Sequence, residues 1–160
     1  MRKRSAVAIP VLLALAVTAG CTRTANSGAV PADPPPPSGL VLRLEPARAP
    51  AGGLVTLRID GPSAAASTMG VDADFQRWNG STWRTEYLLD AWGAGASRPD
   101  VFPAGELHFI VDIGLVGTQP LSLKVPPVEP GEYRIAKEVT REGPAAQRHV
   151  TLYARLRVTG

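Results

Sequence analysis

Few residues in this sequence could carry bond chemistry, and their spacing narrows the choices quickly. The two histidines, His108 and His149, fall on different predicted strands or their edges. A metal centre ordinarily takes three or four ligands at recognisable spacing. The folded part has no cysteine, and the whole chain has two methionines. Zinc or copper therefore has little to bind, and no metal or other cofactor is expected. His108 is expected on a sheet surface and His149 in solvent at the last turn. Asp72-x-Asp74 could open a calcium loop, since hard cations take several carboxylates. The glycine-rich positions that would complete such a cage are missing nearby, so the pair reads as solvated loop charge. The sequence contains no Gly-x-Ser-x-Gly, no phosphate loop and no His-Glu-x-x-His. No two carboxylates stand out as a glycosidase pair. A catalytic role is not expected.

The aromatic residues offer more. Trp78, Trp83, Tyr87 and Trp92 lie close in sequence around one turn signal, Asn79-Gly80. Cross-strand aromatics facing inward stabilise a sheet. The same rings on an exposed face could stack on sugars. Trp78, Trp83 and Trp92 are therefore the candidate ligand-contacting residues, with a structural role as the first expectation.

These side chains must be positioned by strands. Residues 40–44 alternate, with Leu40, Leu42 and Leu44 on one face, and 54–60 alternate with Val55, Leu57 and Ile59 together. A loop is expected over 46–53 and another over 61–70. Residues 73–78 and 82–89 flank Asn79-Gly80, a strong hairpin signal that suits a type I′ turn. Residues 91–105, rich in glycine, proline and small side chains, read as a long surface loop. Strands are expected over 106–112 and 121–125, and a last hairpin over 132–140 and 150–159. In that final strand Val150, Leu152, Ala154, Leu156 and Val158 face in, while Thr151, Tyr153, Arg155 and Arg157 face out. About eight short strands with regular turn signals and no helical periodicity make an all-β sandwich the expected class. The size suffices for a core without disulfides.

The first twenty residues stand apart. Arg2, Lys3 and Arg4 precede an apolar run over 6–17, which is shorter than the ~20 residues needed to span a bilayer. That order fits a signal peptide. Thr18-Ala19-Gly20-Cys21 resembles the bacterial lipobox, with Thr18 where leucine is usual. The resemblance implies cleavage before Cys21, acylation of that cysteine (palmitate among the acyl chains) and anchoring at the extracytoplasmic face of the cell membrane. Residues 22–38 carry few large apolar side chains and four consecutive prolines, so a disordered, semi-rigid tether is expected over 21–38. The chain has 17 basic and 14 acidic residues. Removing the three basic residues at 2–4 leaves 14 against 14. A neutral mature chain gives no electrostatic argument for nucleic acid.

The stretch that organises the folded part is Pro130-Gly131-Glu132-Tyr133-Arg134-Ile135. A tight turn leads into a strand in which Tyr133, Ile135 and Val139 share a face. The stretch resembles the penultimate strand of bacterial immunoglobulin-like domains, and with the Asn79-Gly80 hairpin the likeness covers roughly 75–159. The resemblance implies an immunoglobulin-like β-sandwich over 39–160 and makes Tyr133 a tyrosine corner, bonded through its hydroxyl to nearby backbone. In disulfide-bearing relatives a cysteine lies two residues after that tyrosine; here Ile135 stands there, with Leu57 or a neighbour as its implied aliphatic partner. The core tryptophan of such domains has three candidate counterparts, Phe75, Trp78 and Trp83. The expected role is a lipid-anchored, non-catalytic envelope accessory or protein-interaction module. The alternative is a cell-wall carbohydrate-binding module using Trp78, Trp83 and Trp92.

Overall fold

A computed structural model of the chain describes residues 29–35, 39–62, 64–90, 92–93, 100–105, 115–116, 118–141 and 148–160. The signal peptide expected over 1–20, Cys21, His108 and the strand expected over 106–112 lie outside the described residues. The chain is all-β. Its strands are β1 (Val41–Glu45), β2 (Arg48–Pro50), β3 (Leu54–Asp60), β4 (Ser67–Met69), β5 (Asp72–Trp78), β6 (Trp83–Asp90), β7 (Trp92–Gly93), β8 (Asp100–Pro103), β9 (Leu115–Val116), β10 (Leu121–Lys124), β11 (Gly131–Arg141) and β12 (Arg148–Thr159). Among the described residues no helix is long and apolar enough to cross a membrane.

Two sheets form. The smaller runs β1-β3-β10-β7. The larger, which curls into a half-barrel, runs β2-β12-β11-β5-β6-β8, with β4 pairing the far end of β11 and β9 pairing β4. β2 runs parallel to β12, and the other pairings are antiparallel. Period-two alternation explains the layering. Leu42 and Leu44 of β1, Val55, Leu57 and Ile59 of β3, and Leu121 and Leu123 of β10 point one way. They meet Tyr133, Ile135 and Val139 of β11 and Leu152, Ala154, Leu156 and Val158 of β12 in one core. Each large aliphatic chain so buried contributes about 1.5–3 kcal/mol.

Tyr133, 1% exposed, stacks on Phe75 at 4.7 Å between ring centres, and Phe75 meets Tyr87 edge-on at 6.3 Å. The Tyr133 hydroxyl donates to the Glu129 carbonyl at 2.8 Å. Lys137 shares the core face of β11 and is 1% exposed. Its stem fills core space, and its ammonium donates to the Asp72 carbonyl and lies 3.7 Å from Asp72 Oδ1.

Several loops expected from composition contain short strands. β2 lies within 46–53, β4 within 61–70, and β7 and β8 within 91–105. Strands of two to four residues are too short for alternation to mark them; their partners define them. The turn at Asn79 is also wider than a type I′ turn. Trp78 pairs with Trp83, so four residues connect β5 and β6. Asn79 Oδ1 accepts from the Ser81 and Thr82 amides, and Gly80 takes a positive φ of 95° within that loop. Asparagine's habit of satisfying backbone donators two and three residues on selects this longer loop.

Candidate functional site

The outer face of the larger sheet, turned away from the core, carries the site. One irregularity shapes it. Phe75 pairs with Tyr87 but Gln76 pairs with Thr85, which leaves Glu86 as an extra residue in β6. A bulge reverses the facing of everything beyond it. Trp83 and Thr85 therefore share the outer face with Gln76 and Trp78, while Tyr87 turns to the core. The aromatic cluster of the sequence is split at this point.

Trp78 and Trp83 lie side by side on the outer face, half-buried, with ring centres 5.7 Å apart. Neither takes the core position, which Phe75 fills at full burial. The backbone of Trp92 belongs to β7 in the smaller sheet, where it pairs with Ser122. Its side chain lies outside the described residues.

Arginine, not tryptophan, is the centre of this face. Arg134 and Arg155 are direct cross-strand partners on β11 and β12, two pairs along the ladder from Ala136 and Tyr153. The Arg134 guanidinium lies 4.3 Å from the Trp83 ring centre and 4.2 Å from that of Tyr153, a planar cation held between two rings. The Arg155 guanidinium lies 4.6 Å from Trp83. Each such contact is worth about 0.5–2 kcal/mol, more as water is excluded. Arg134 Nε donates to Gln76 Oε1 at 2.7 Å, which fixes the plane of the group.

Like charges directly opposite on a sheet repel. An anion resolves the repulsion here. Asp33 reaches across the pair, with Oδ1 2.8 Å from Arg134 Nη1 and Oδ2 2.6 Å from Arg155 Nε. Arg155 Nη2 donates to the Pro31 carbonyl. The side chains of Arg134 and Asp33 are 10% and 18% exposed. The segment expected to be part of a disordered tether is thus fastened to the sheet at 29–35. Its prolines at 31, 34 and 35 have no N–H to give a strand ladder, and the segment docks instead through the Asp33 carboxylate and the Pro31 carbonyl on the two arginines.

Beside this pair the curl of the sheet leaves a concavity of about 660 Å³, lined by Asp72, Asp74, Glu138, Thr140, His149 and Thr151 among others. The two aspartates are strand residues here and not loop charge. Asp72 serves Lys137, and Asp74 accepts from Thr85 Oγ1 at 3.3 Å and from Gln76 Nε2 at 3.4 Å. His149, exposed on β12, lies 3.0 Å from Glu138 Oε1. Among the described residues no three His, Cys, Asp or Glu side chains stand together as metal ligands.

Burial raises the Asp74 carboxyl above its ordinary value of 3.8, and nearby Asp72 adds to the rise, against hydrogen bonds from Thr85 and Gln76 and the charge of Lys137. The folded form therefore takes up this proton at a higher pH than the unfolded chain. Between those two values the folded state binds more protons, so this group's contribution to stability falls as pH rises through the folded pKa. Asp74→Asn removes that dependence and keeps an acceptor for Thr85. The melting temperature of the variant, measured relative to wild type, should rise with pH above 3.8; a constant difference would show that Asp74 ionises freely.

No protein-family model matches the chain, and no curated protein matches it.

Proposed function

We propose that this chain is a non-catalytic recognition module with an immunoglobulin-like β-sandwich, held at the extracytoplasmic face of a bacterial cell membrane by lipid on Cys21. Its contact surface for an envelope protein is the outer face of β5, β6, β11 and β12. The observation that carries the reading is the cross-strand arginine pair stacked on Trp83 and Tyr153. Arginine, tryptophan and tyrosine are the residues that dominate protein–protein binding energy, and here they are already ordered on a rigid sheet.

The sandwich reading is supported by strand order. The smaller sheet, β1-β3-β10-β7, follows the pattern A-B-E-D, and β12-β11-β5 follows G-F-C with β6 beside it. The Tyr133 hydroxyl bond to the Glu129 carbonyl suits a tyrosine corner at the start of strand F. The address rests on the basic, apolar and small-small-Cys order of residues 2–21. One acyl chain binds a membrane only marginally, and two or more anchor stably. Cys21→Ala should therefore move the protein from the membrane fraction to soluble or unprocessed forms; a variant that fractionates like wild type removes the anchor from the reading.

A second reading, a cell-wall carbohydrate-binding module, is favoured by the Trp78–Trp83 pair on the outer face. Against it, Arg134 and Arg155 lie over Trp83 where a sugar ring would stack.

A further inference from the structure

The arginine pair and its occupant are held very differently. Arg134 is fixed without help from the N-terminal segment: Gln76 holds Nε, and two rings clamp the plane. Arg155 faces it in register from the next strand. The segment from Ala29 to Pro35 forms no strand and is exposed at every position except Asp33. Among the described residues its hydrogen bonds to the sheet all end on these two arginines: the Asp33 carboxylate on both, and the Pro31 carbonyl on Arg155. A prebuilt receptor thus holds a lightly attached ligand.

We infer that this pair is the binding site for an extended acidic peptide of a partner protein, and that the chain's own Pro31-Ala32-Asp33 occupies it as an internal competitor. The inference deepens the recognition-module reading and rests on it for the choice of face. The chemistry points to a peptide and not to a free anion. Arg155 contacts a backbone carbonyl through Nη2 and a carboxylate through Nε, and those two acceptors sit two residues apart on one segment of chain that forms no strand or helix. The planar forks of arginine suit such paired acceptors, whereas an ammonium would not. Exchange needs no covalent step, since one carboxylate and one carbonyl leave and an equivalent pair enters.

The test uses the full chain and a labelled peptide, Ala-Val-Pro-Ala-Asp-Pro-Pro, followed by fluorescence anisotropy. An attached competitor acts at millimolar effective concentration, so wild type should bind about tenfold or more weakly than Asp33→Ala. Asp33→Asn, which keeps the shape and one acceptor, should behave like Asp33→Ala. Adding Arg155→Met to Asp33→Ala should abolish binding, and the peptide with asparagine in place of its aspartate should bind neither variant. Equal binding by wild type and both Asp33 variants would overturn the internal competitor. Failure of either cooperatively melting variant to bind would overturn the site. Dimers of wild type that form with rising protein concentration and are dissociated by the peptide would make the occupant a second copy of this chain and overturn the partner. Peptide binding by a protein whose Cys21→Ala form fractionates like wild type would remove the anchor and leave the site standing.

Discussion

Replacing Tyr133 by alanine should cost about 3–5 kcal/mol, the usual range for deleting a large aromatic from a packed core. Three separate losses combine. The ring is 1% exposed and stacks on Phe75 at 4.7 Å. Its removal leaves a cavity between the long β11–β12 ladder and β5, where few neighbours can collapse. The Glu129 carbonyl loses its donor and the turn before β11 loses its tie. Tyr133→Phe isolates the last of these and should cost about 1 kcal/mol, the net worth of one such bond. Thermal or denaturant unfolding of the two variants reads both numbers. Equal losses would mean that the hydroxyl, not the ring, holds the corner; no loss in either would remove Tyr133 from the core argument.

Arg134→Ala should be the largest change available on the outer face, costing about 2–4 kcal/mol. Stacking on Trp83 and Tyr153 accounts for roughly 0.5–2 kcal/mol per ring. Gln76 Oε1 and Asp33 also lose a charged partner, and a part-buried acceptor left unpaired costs about 1–3 kcal/mol. Asp33 can swing into water, which keeps the total below the sum of these ranges. Arg134→Lys keeps the charge but neither the plane nor the fork, and it should recover less than half of the loss. A double-mutant cycle with Asp33→Ala should show coupling of about 0.5–3 kcal/mol, as contacting groups do. Additive effects would mean that the bridge contributes nothing beyond its geometry.

Much of this was readable beforehand, for one physical reason. Period-two alternation needs only local sequence, so the inward faces of β1, β3, β11 and β12 were legible, and so was Arg155 facing out. The hairpin was legible from Asn79-Gly80, but a two-residue turn there pairs Trp78 with Ser81, and it is the longer loop that sets Trp78 opposite Trp83. What alternation cannot carry is register. That Arg134 and Arg155 stand directly opposite depends on how two strands align, and the bulge at Glu86 depends on the same alignment. Strict alternation would put Trp83, Thr85 and Tyr87 on one face, whereas the extra residue at Glu86 turns Tyr87 to the core. Asp33 was further out of reach. It lies 101 residues before Arg134, in a stretch whose composition argues correctly against a strand and says nothing about a single charge finding two partners. The outward arginine of Pro-Gly-Glu-Tyr-Arg-Ile was the available signal, and it becomes meaningful only beside Trp83 and Tyr153.

The most direct measurement is binding of the full-length protein to purified cell wall, with wild type, Trp78→Ala and Trp83→Ala compared alongside their melting curves. Because Arg134 and Arg155 already occupy the face of Trp83, the expected result is no saturable wall binding by wild type and a loss of stability in Trp83→Ala, where two stacked cations lose their ring. Saturable wall binding that disappears in Trp78→Ala and Trp83→Ala, with melting unchanged, would make this face a sugar platform and contradict the proposal that it is a charged protein-contact surface.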